Sequence, residues 1–144
     1  MKNFMNLVWL ILTFGIFVFS VRGQDNATNF YNRAMSERDK GDYDKSITDF
    51  TQAINLNSNY VAAYDDRSFA KERKGDYDGA FSDAVKAIQM NPKYAPAYND
   101  RGIVKDDKKD YDGALADYNM ALKLDPKFSK PYQNIGDVKL EQKD

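Results

Sequence analysis

The sequence predicts an all-α protein in which three helix-turn-helix repeats stack as a solenoid and one further helix caps the C-terminal end. The first observation is a repeated tetrapeptide. Gly-Asp-Tyr-Asp occupies 41–44 and 75–78, and Lys-Asp-Tyr-Asp occupies 109–112, each copy 34 residues after the last. The second is that small and aromatic residues recur at the same spacing. The third is that glycine or proline lies between many of the resulting segments, where helices end. A period of 34 residues is typical of stacked helical pairs.

The residues that recur are those needed to pack helices closely. Aromatic residues share one register, at Phe30, Tyr64, Tyr98 and Tyr132. Small residues fill three further registers, which are Ala34, Ser68, Gly102 and Gly136; Ser46, Ala80 and Ala114; and Ala53, Ala87 and Ala121. Small side chains let two helices approach, while aromatic rings fill the spaces between them. One helical pair cannot bury its apolar face alone, so we expect stability to come from contacts between neighbouring repeats.

Local signals divide each repeat into two helices. Gly41 and Gly75 each follow a lysine, which suits a helix C-terminus where glycine adopts the left-handed turn and the cation meets the helix dipole. The predicted N-caps of the second helices are Asp42, Asp76 and Asp110. A proline stops the second helix in two of the repeats. The predicted helices are 27–40, 44–57, 61–74, 78–90, 95–108, 112–124 and 129–143.

This pattern resembles the tetratricopeptide repeat family, in which an aromatic residue is followed four positions later by a small one, then by alanines, an aromatic residue and a closing proline. The resemblance covers residues 27–144 and implies a right-handed α-solenoid. The implied units are repeats at 27–60, 61–94 and 95–128 and a C-terminal capping helix at 129–144. The chain departs from the family by carrying arginine where leucine is usual, and the first repeat lacks the closing proline.

The three unusual arginines are each followed sixteen residues later by an aspartate. The pairs are Arg33 with Asp49, Arg67 with Asp83 and Arg101 with Asp117. In an antiparallel helical pair these positions lie at the same level, so we predict one ion pair per repeat that fixes helix register. The fourth copy of the column is Ile135, where no second helix follows.

The first 23 residues are predicted to be a targeting segment. No charged residue lies between Asn3 and Val21, and basic residues stand on both sides, at Lys2 and Arg22. Residues 1–23 are therefore predicted to be a secretory signal peptide that is cleaved after position 20 or 23. The alternative is an uncleaved membrane anchor, because the uncharged stretch reaches the lower end of the ~17–25 residues that span a bilayer. Either interpretation places the remaining chain outside the cytoplasm or at a membrane.

Composition excludes several classes of function. The chain has no cysteine and no histidine, so the commonest zinc ligands and the commonest general base are missing. Adjacent carboxylates occur at Asp65–Asp66 and Asp106–Asp107, but neighbours on a helix diverge by about 100° and do not converge on one substrate. The 21 basic and 22 acidic residues are interspersed, which argues against a nucleic-acid partner. We therefore expect no enzymatic activity, metal site or cofactor.

The family resemblance implies a partner-binding groove along the first helix of each repeat. Its expected lining is Tyr31, Met35, Asp65, Asp66, Phe69, Asn99, Asp100 and Ile103. Three of these share one column and form an apolar track, and the aspartates border it, so a partner with basic and aliphatic residues is expected. Family members that clamp acidic peptides use lysine, asparagine and arginine. The matching positions here are Tyr31, Met35, Asp66, Pro96 and Asp100, so that activity is not carried over.

The sequence therefore favours an extracytoplasmic protein-protein interaction module, a scaffold or adaptor whose concave groove binds a partner peptide or protein. The alternative is a self-associating or membrane-tethered structural component without a groove function. In that case stacked ends or leader segments would join copies of the chain.

Overall fold

The computed structural model describes residues 26–142, and seven helices account for most of this range. Helix α1 covers 26–39. The others are α2 (Tyr43–Leu56), α3 (Val61–Arg73), α4 (Tyr77–Met90), α5 (Ala95–Asp107), α6 (Tyr111–Leu124) and α7 (Ser129–Glu141). The described chain contains no strand, and the predicted all-α solenoid is confirmed. The predicted signal peptide or anchor at 1–23 lies outside the described residues. Between 26 and 142, no helix has the length and apolar character needed to cross a membrane.

The predicted N-caps are confirmed by their hydrogen bonds. The Asp42 carboxylate accepts from the backbone N–H of Lys45 at 3.3 Å. In the same way, Asp76 accepts from the backbone N–H of Gly79 at 3.0 Å, and Asp110 accepts from that of Gly113 at 3.1 Å. Each of these three helices starts at the tyrosine directly after the cap, one residue before the predicted start, because an N-cap flanks the first helical residue. The repeated aspartate therefore satisfies one of the free backbone donors at each helix start.

The turn before each cap requires a left-handed residue. Gly41 and Gly75 both have φ of +80° there, as the sequence predicted. Lys109 occupies the equivalent turn of the third repeat with φ of +62°. A side chain with a Cβ is less stable in this conformation than glycine, so the third turn carries local strain that the first two lack.

The helices form two layers. The odd-numbered helices contact one another in succession, α3 with α5 and α5 with α7, and the even-numbered helices pack between them. The predicted small columns lie where the layers meet: Ser46, Ala53, Ala80, Ala87, Ala114 and Ala121 are fully buried. Larger side chains such as Phe50 and Tyr118 fill the space between helices and are also fully buried. The odd-numbered layer carries the candidate site on its open face.

The predicted arginine–aspartate pairs are all present. Arg67 donates two hydrogen bonds to Asp83, at 2.8 and 2.7 Å, and Arg101 does the same to Asp117, at 2.8 and 2.6 Å. Arg33 pairs with Asp49 in the same forked geometry. The three aspartates are at most 5% exposed. The side chains of Arg67 and Arg101 are 14% and 22% exposed, whereas that of Arg33 is 59% exposed, so the second and third pairs are sheltered from water and the first is not.

Candidate partner-binding site

A cavity of about 550 Å³ lies on the face formed by the odd-numbered helices. Its charged lining residues are Arg38, Asp39, Asp65, Asp66, Asp100 and Lys130. Its aromatic and apolar lining residues are Tyr31, Met35, Tyr43, Phe69, Tyr94, Pro96 and Phe128. Four carboxylates against two cations give the lining an excess of negative charge. The cavity therefore combines apolar surface with an excess of negative charge, which suits a segment that carries both aliphatic and basic groups.

Side chains on successive odd-numbered helices meet at a spacing of 35 residues, one more than the repeat. The Tyr31 hydroxyl of α1 donates to Asp66 of α3 at 2.6 Å. The Asn134 amide of α7 donates to Asn99 of α5 at 3.0 Å. The same spacing between α3 and α5 brings Asp65 to Asp100, and the negative charge of Asp100 helps to raise the pKa of Asp65. Two of the three junctions thus join a donor to an acceptor, whereas the middle one joins two carboxylates.

Asp66 has its charge balanced within the cavity wall. In addition to the Tyr31 hydroxyl, the Arg38 guanidinium forms an ion pair with it. Arg38 also lies over the ring of Phe69, 5.7 Å from its centre. Burial raises the pKa of Asp66, and the hydrogen bond from Tyr31 and the charge of Arg38 act against that rise. Because both partners are already engaged with Asp66, this carboxylate is part of the wall rather than an open binding group.

Within residues 26–142, Asp65 and Asp100 form no ion pair of the kind that joins Asp66 to Arg38. Asp65 is 6% exposed, and within residues 26–142 its Oδ1 has no hydrogen-bond partner. Burial, followed by the charge of Asp100, raises its pKa well above the ordinary range. Burial raises the pKa of Asp100 to about 7, against a hydrogen bond from Asn99. Lys130 lowers the pKa of both through its charge but forms an ion pair with neither in the part of the chain described.

Contacts between aromatic rings hold the apolar part of the cavity wall in place. Tyr31 stacks on Tyr60 at 4.8 Å between ring centres, and Tyr43 meets Phe69 edge-on at 6.5 Å. Met35 packs against the neighbouring core cluster and opens to the cavity on its other side. Rings held in this way present apolar surface that is already in place, which lowers the entropy lost on binding.

Six of the eight predicted groove residues line this cavity: Tyr31, Met35, Asp65, Asp66, Phe69 and Asp100. Asn99 and Ile103 lie outside its lining. Asn99 is 1% exposed because the α7 residue Asn134 covers it, and Ile103 packs against the core cluster around Tyr118 and Val138. That these two residues contact a partner remains a prediction.

The two cations in the cavity lining, Arg38 and Lys130, were not among the predicted groove residues. Arg38 lies one turn beyond Met35 on α1, and Lys130 enters from the first turn of α7. Tyr94 and Phe128, which also line the cavity, lie 34 residues apart and so share one register of the repeat, but they were not among the predicted groove residues. Helical spacing from Met35 could have found Arg38, but only the stacking of α7 on α5 brings Lys130 close.

Comparison with known protein families agrees with this architecture. Sequence profiles of the tetratricopeptide repeat match residues 27–60 and 95–128, the bounds predicted for the first and third repeats. The chain is a tetratricopeptide repeat protein. No curated protein sequence matches it.

Several solved tetratricopeptide structures are similar to this chain. The Arabidopsis OM64 TPR domain has a TM-score of 0.79 and 22% identity, over 83% of this chain and 98% of that one. The first TPR of Spaghetti (RPAP3), bound to the HSP90 peptide SRMEEVD, has a TM-score of 0.77 and 21% identity, over 84% and 96%. The Sgt2 TPR domain from Aspergillus fumigatus has 0.76 and 21%, over 81% and 79%. At such identities the likeness shows the fold.

Proposed function

We propose that this tetratricopeptide repeat protein is a non-enzymatic protein-interaction module outside the cytoplasm, and that its cavity binds a segment of a partner protein. The observation that carries the proposal is the cavity itself, which combines preformed aromatic walls with uncompensated carboxylates. Similar domains bind peptides, among them the RPAP3 domains solved with HSP90 and HSP70 peptides. An apolar, concave surface with a few polar groups is the usual form of such a site.

The chemistry of the lining favours a partner with aliphatic and basic side chains. Met35 and Phe69 offer the apolar contact, and the excess carboxylates attract positive charge. The HSP90 peptide SRMEEVD ends instead in two glutamates, a valine and an aspartate. The cations of this cavity are few, and Arg38 is already paired with Asp66. An acidic peptide of that kind should therefore bind weakly here.

The proposed location outside the cytoplasm rests on the uncharged leader with basic residues at both ends. Mass spectrometry of the protein from its own cells tests it. A mature chain that begins at Val21 or Gln24 supports secretion, and an intact leader in the membrane fraction supports an anchor. An intact leader in the cytoplasmic fraction would contradict both.

The binding proposal is tested by selecting partners from a displayed library of random 12-residue peptides with the full chain, kept in solution by a non-ionic detergent. We expect selected peptides that contain basic and aliphatic residues and whose affinity falls with salt. Fluorescence anisotropy should show that SRMEEVD binds at least about tenfold more weakly. Selection of acidic peptides would contradict the charge argument, and failure to select any cavity-binding peptide would contradict the function.

Two methionines provide a matched control. Met35→Ala removes an apolar contact inside the cavity and should weaken the selected peptides several-fold. Met120→Ala makes the same deletion at a side chain that is 38% exposed and lies outside the cavity lining. Equal losses for the two variants would show that the peptides do not bind where we propose.

One observation favours the alternative of self-association. Tyr132 and Leu140 of α7 are 56% and 64% exposed, so the C-terminal helix presents apolar surface to its surroundings. Analytical ultracentrifugation of the full chain and of Leu140→Ala separates the two functions. A monomer that binds peptides supports the module, and a dimer abolished by the substitution supports the structural component.

A further inference from the structure

Of the three junctions between odd-numbered helices in residues 26–142, the middle one alone does not pair a donor with an acceptor. The first joins the Tyr31 hydroxyl to Asp66, and the third joins the Asn134 amide to Asn99. Both pair a donor with an acceptor. At the middle junction Asp65 and Asp100 line the same cavity, close enough that the charge of Asp100 raises the pKa of Asp65, and two carboxylates have no proton to share when both are ionised. The middle position is therefore incomplete without a proton or a cation.

One atom at the middle junction, Oδ1 of Asp65, lacks a hydrogen-bond donor among residues 26–142. The Oδ1 atom of Asp65 is buried and, in the range 26–142, accepts no hydrogen bond. A buried carboxylate oxygen without a donor is costly, since its hydration has been lost and not replaced. The side chain lines the 550 Å³ cavity, so a ligand bound there can reach it. This unsatisfied acceptor is an observation separate from the number of acidic residues nearby.

We propose that the Asp65–Asp100 pair is a subsite for one protonated primary amine, namely the lysine side chain of the partner segment. The identity of the amine as a lysine of the partner rests on the proposed function. An ammonium group supplies three N–H donors in a compact tetrahedral arrangement. It can donate one hydrogen bond to Asp65 and one to Asp100, and so complete the junction as tyrosine and asparagine complete the other two.

The arrangement of donors already present favours an ammonium over a guanidinium. The Asn99 amide donates to Oδ1 of Asp100 at 3.1 Å, the Tyr94 hydroxyl lowers the pKa of Asp65 by hydrogen bonding, and Oδ1 of Asp65 is the atom without a donor among residues 26–142. Each carboxylate thus retains one oxygen for a ligand. A guanidinium binds best when both oxygens of one carboxylate are free for two parallel hydrogen bonds, as in the Arg67–Asp83 pair. An ammonium uses one oxygen from each of two carboxylates equally well.

The cations that line the cavity, Arg38 and Lys130, do not bind between Asp65 and Asp100. Arg38 is committed to Asp66, and Lys130 influences both members of the pair only over a longer distance. Glu72 and Asp66 add further negative charge near Asp100. The subsite therefore keeps a net attraction for a cation after the charges of the wall are taken into account.

The proposal is tested with butylammonium as an analogue of the lysine side chain, using the full chain with ¹³C-labelled aspartate carboxyl groups in a non-ionic detergent. The carboxyl shifts of Asp65 and Asp100 are followed against pH in 100 mM sodium chloride and in 100 mM butylammonium chloride. Because the amine binds the ionised pair and not the protonated one, their apparent pKa falls by about 1 for a dissociation constant near 10 mM. Propylguanidinium should lower it less, and tetramethylammonium, which has no N–H, should leave it unchanged.

Three variants locate the effect. Asp65→Asn and Asp100→Asn should each remove the butylammonium response of the remaining carboxylate. Asp112→Asn removes the same charge from an exposed position at the start of α6 and should leave the response intact. Identical titrations in sodium and butylammonium would overturn the proposal and leave a pair that holds only a proton. A response to tetramethylammonium as large as that to butylammonium, or a larger one to propylguanidinium, would also overturn it.

The selected peptides then separate this inference from the proposed function. Replacing their lysine with norleucine should weaken binding to the wild-type chain at least about tenfold, and much less to Asp100→Asn. Peptides that bind in the cavity without any dependence on lysine would leave the proposed function standing and overturn the lysine subsite. A butylammonium response in a chain that binds no peptide would support the amine subsite and contradict the proposed function.

Discussion

Replacing Asp100 with asparagine should stabilise the protein at alkaline pH. Burial raises the pKa of Asp100 to about 7 in the folded chain, and its ordinary value is 3.8. The folded state therefore holds this proton more tightly than the unfolded state does. Stability is lost as the pH rises from about 4 to about 7, and the whole penalty is present above 7. Asparagine carries no charge, and its amide can donate to Asp65 while its oxygen accepts from Asn99.

The magnitude follows from the difference between the two pKa values. Each tenfold change in proton affinity corresponds to about 1.4 kcal/mol, so the penalty removed has an upper limit of about 4 kcal/mol. Asp100 keeps part of its surface open to the cavity, and water there screens its charge. We therefore expect the free energy of unfolding to rise by about 1–2 kcal/mol at pH 8.

Urea denaturation followed by circular dichroism at pH 8 and pH 4 provides the measurement. The gain should be large at pH 8 and close to zero at pH 4, where Asp100 is protonated in the folded protein. Asp112→Asn serves as the control for loss of one negative charge, and it should show no such dependence on pH. The reasoning would be refuted if Asp100→Asn destabilised the chain at pH 8 or gave the same change at both pH values.

Two further predictions concern the packing of the repeats. Arg67→Met and Asp83→Leu, made separately and together, should show a coupling energy of about 1–3 kcal/mol in denaturation experiments, because the forked pair is sheltered from water. Additive effects would mean that the pair contributes nothing of its own. Gly102→Ala should destabilise by about 1–3 kcal/mol, since the added Cβ would lie 2.6 Å from the ring of Tyr118. Gly136→Ala, where a Cβ meets nothing within 4 Å, should instead stabilise by up to about 1 kcal/mol. Similar effects at the two glycines would contradict the argument that the space around the added Cβ decides the change in stability.

The fold could be predicted because its determinants are local or repeat at a fixed interval. An N-cap such as Asp76 acts on a backbone N–H three residues away, so the sequence alone places it. Arg67 and Asp83 lie in the two helices of one pair, and the length of a single turn fixes their distance. Lys109 shows the limit of such prediction: the turn forms without glycine because the packed helices on both sides hold it there.

The candidate site could be predicted only in part. Met35 and Phe69 were found because the repeating column that packs the core also reaches the cavity. The same column failed to place Ile103 there, since α7 follows the third repeat and its side chains help to cover that position. Equivalent positions in a repeat protein have equivalent surroundings only when the neighbouring repeats are also equivalent.

The sequence by itself determined the period, the helix boundaries to within two residues, the caps and the arginine–aspartate pairs. Tertiary structure decided which carboxylates are free. Asp65 and Asp66 are neighbours in sequence, yet Asp66 is paired with Tyr31 and Arg38, whereas Asp65 faces Asp100 across a junction of two helices. That junction joins residues 35 apart, one more than the period, because side chains on adjacent stacked helices meet diagonally. The offset arises from the way the helices pack, and so the repeat length alone does not reveal it.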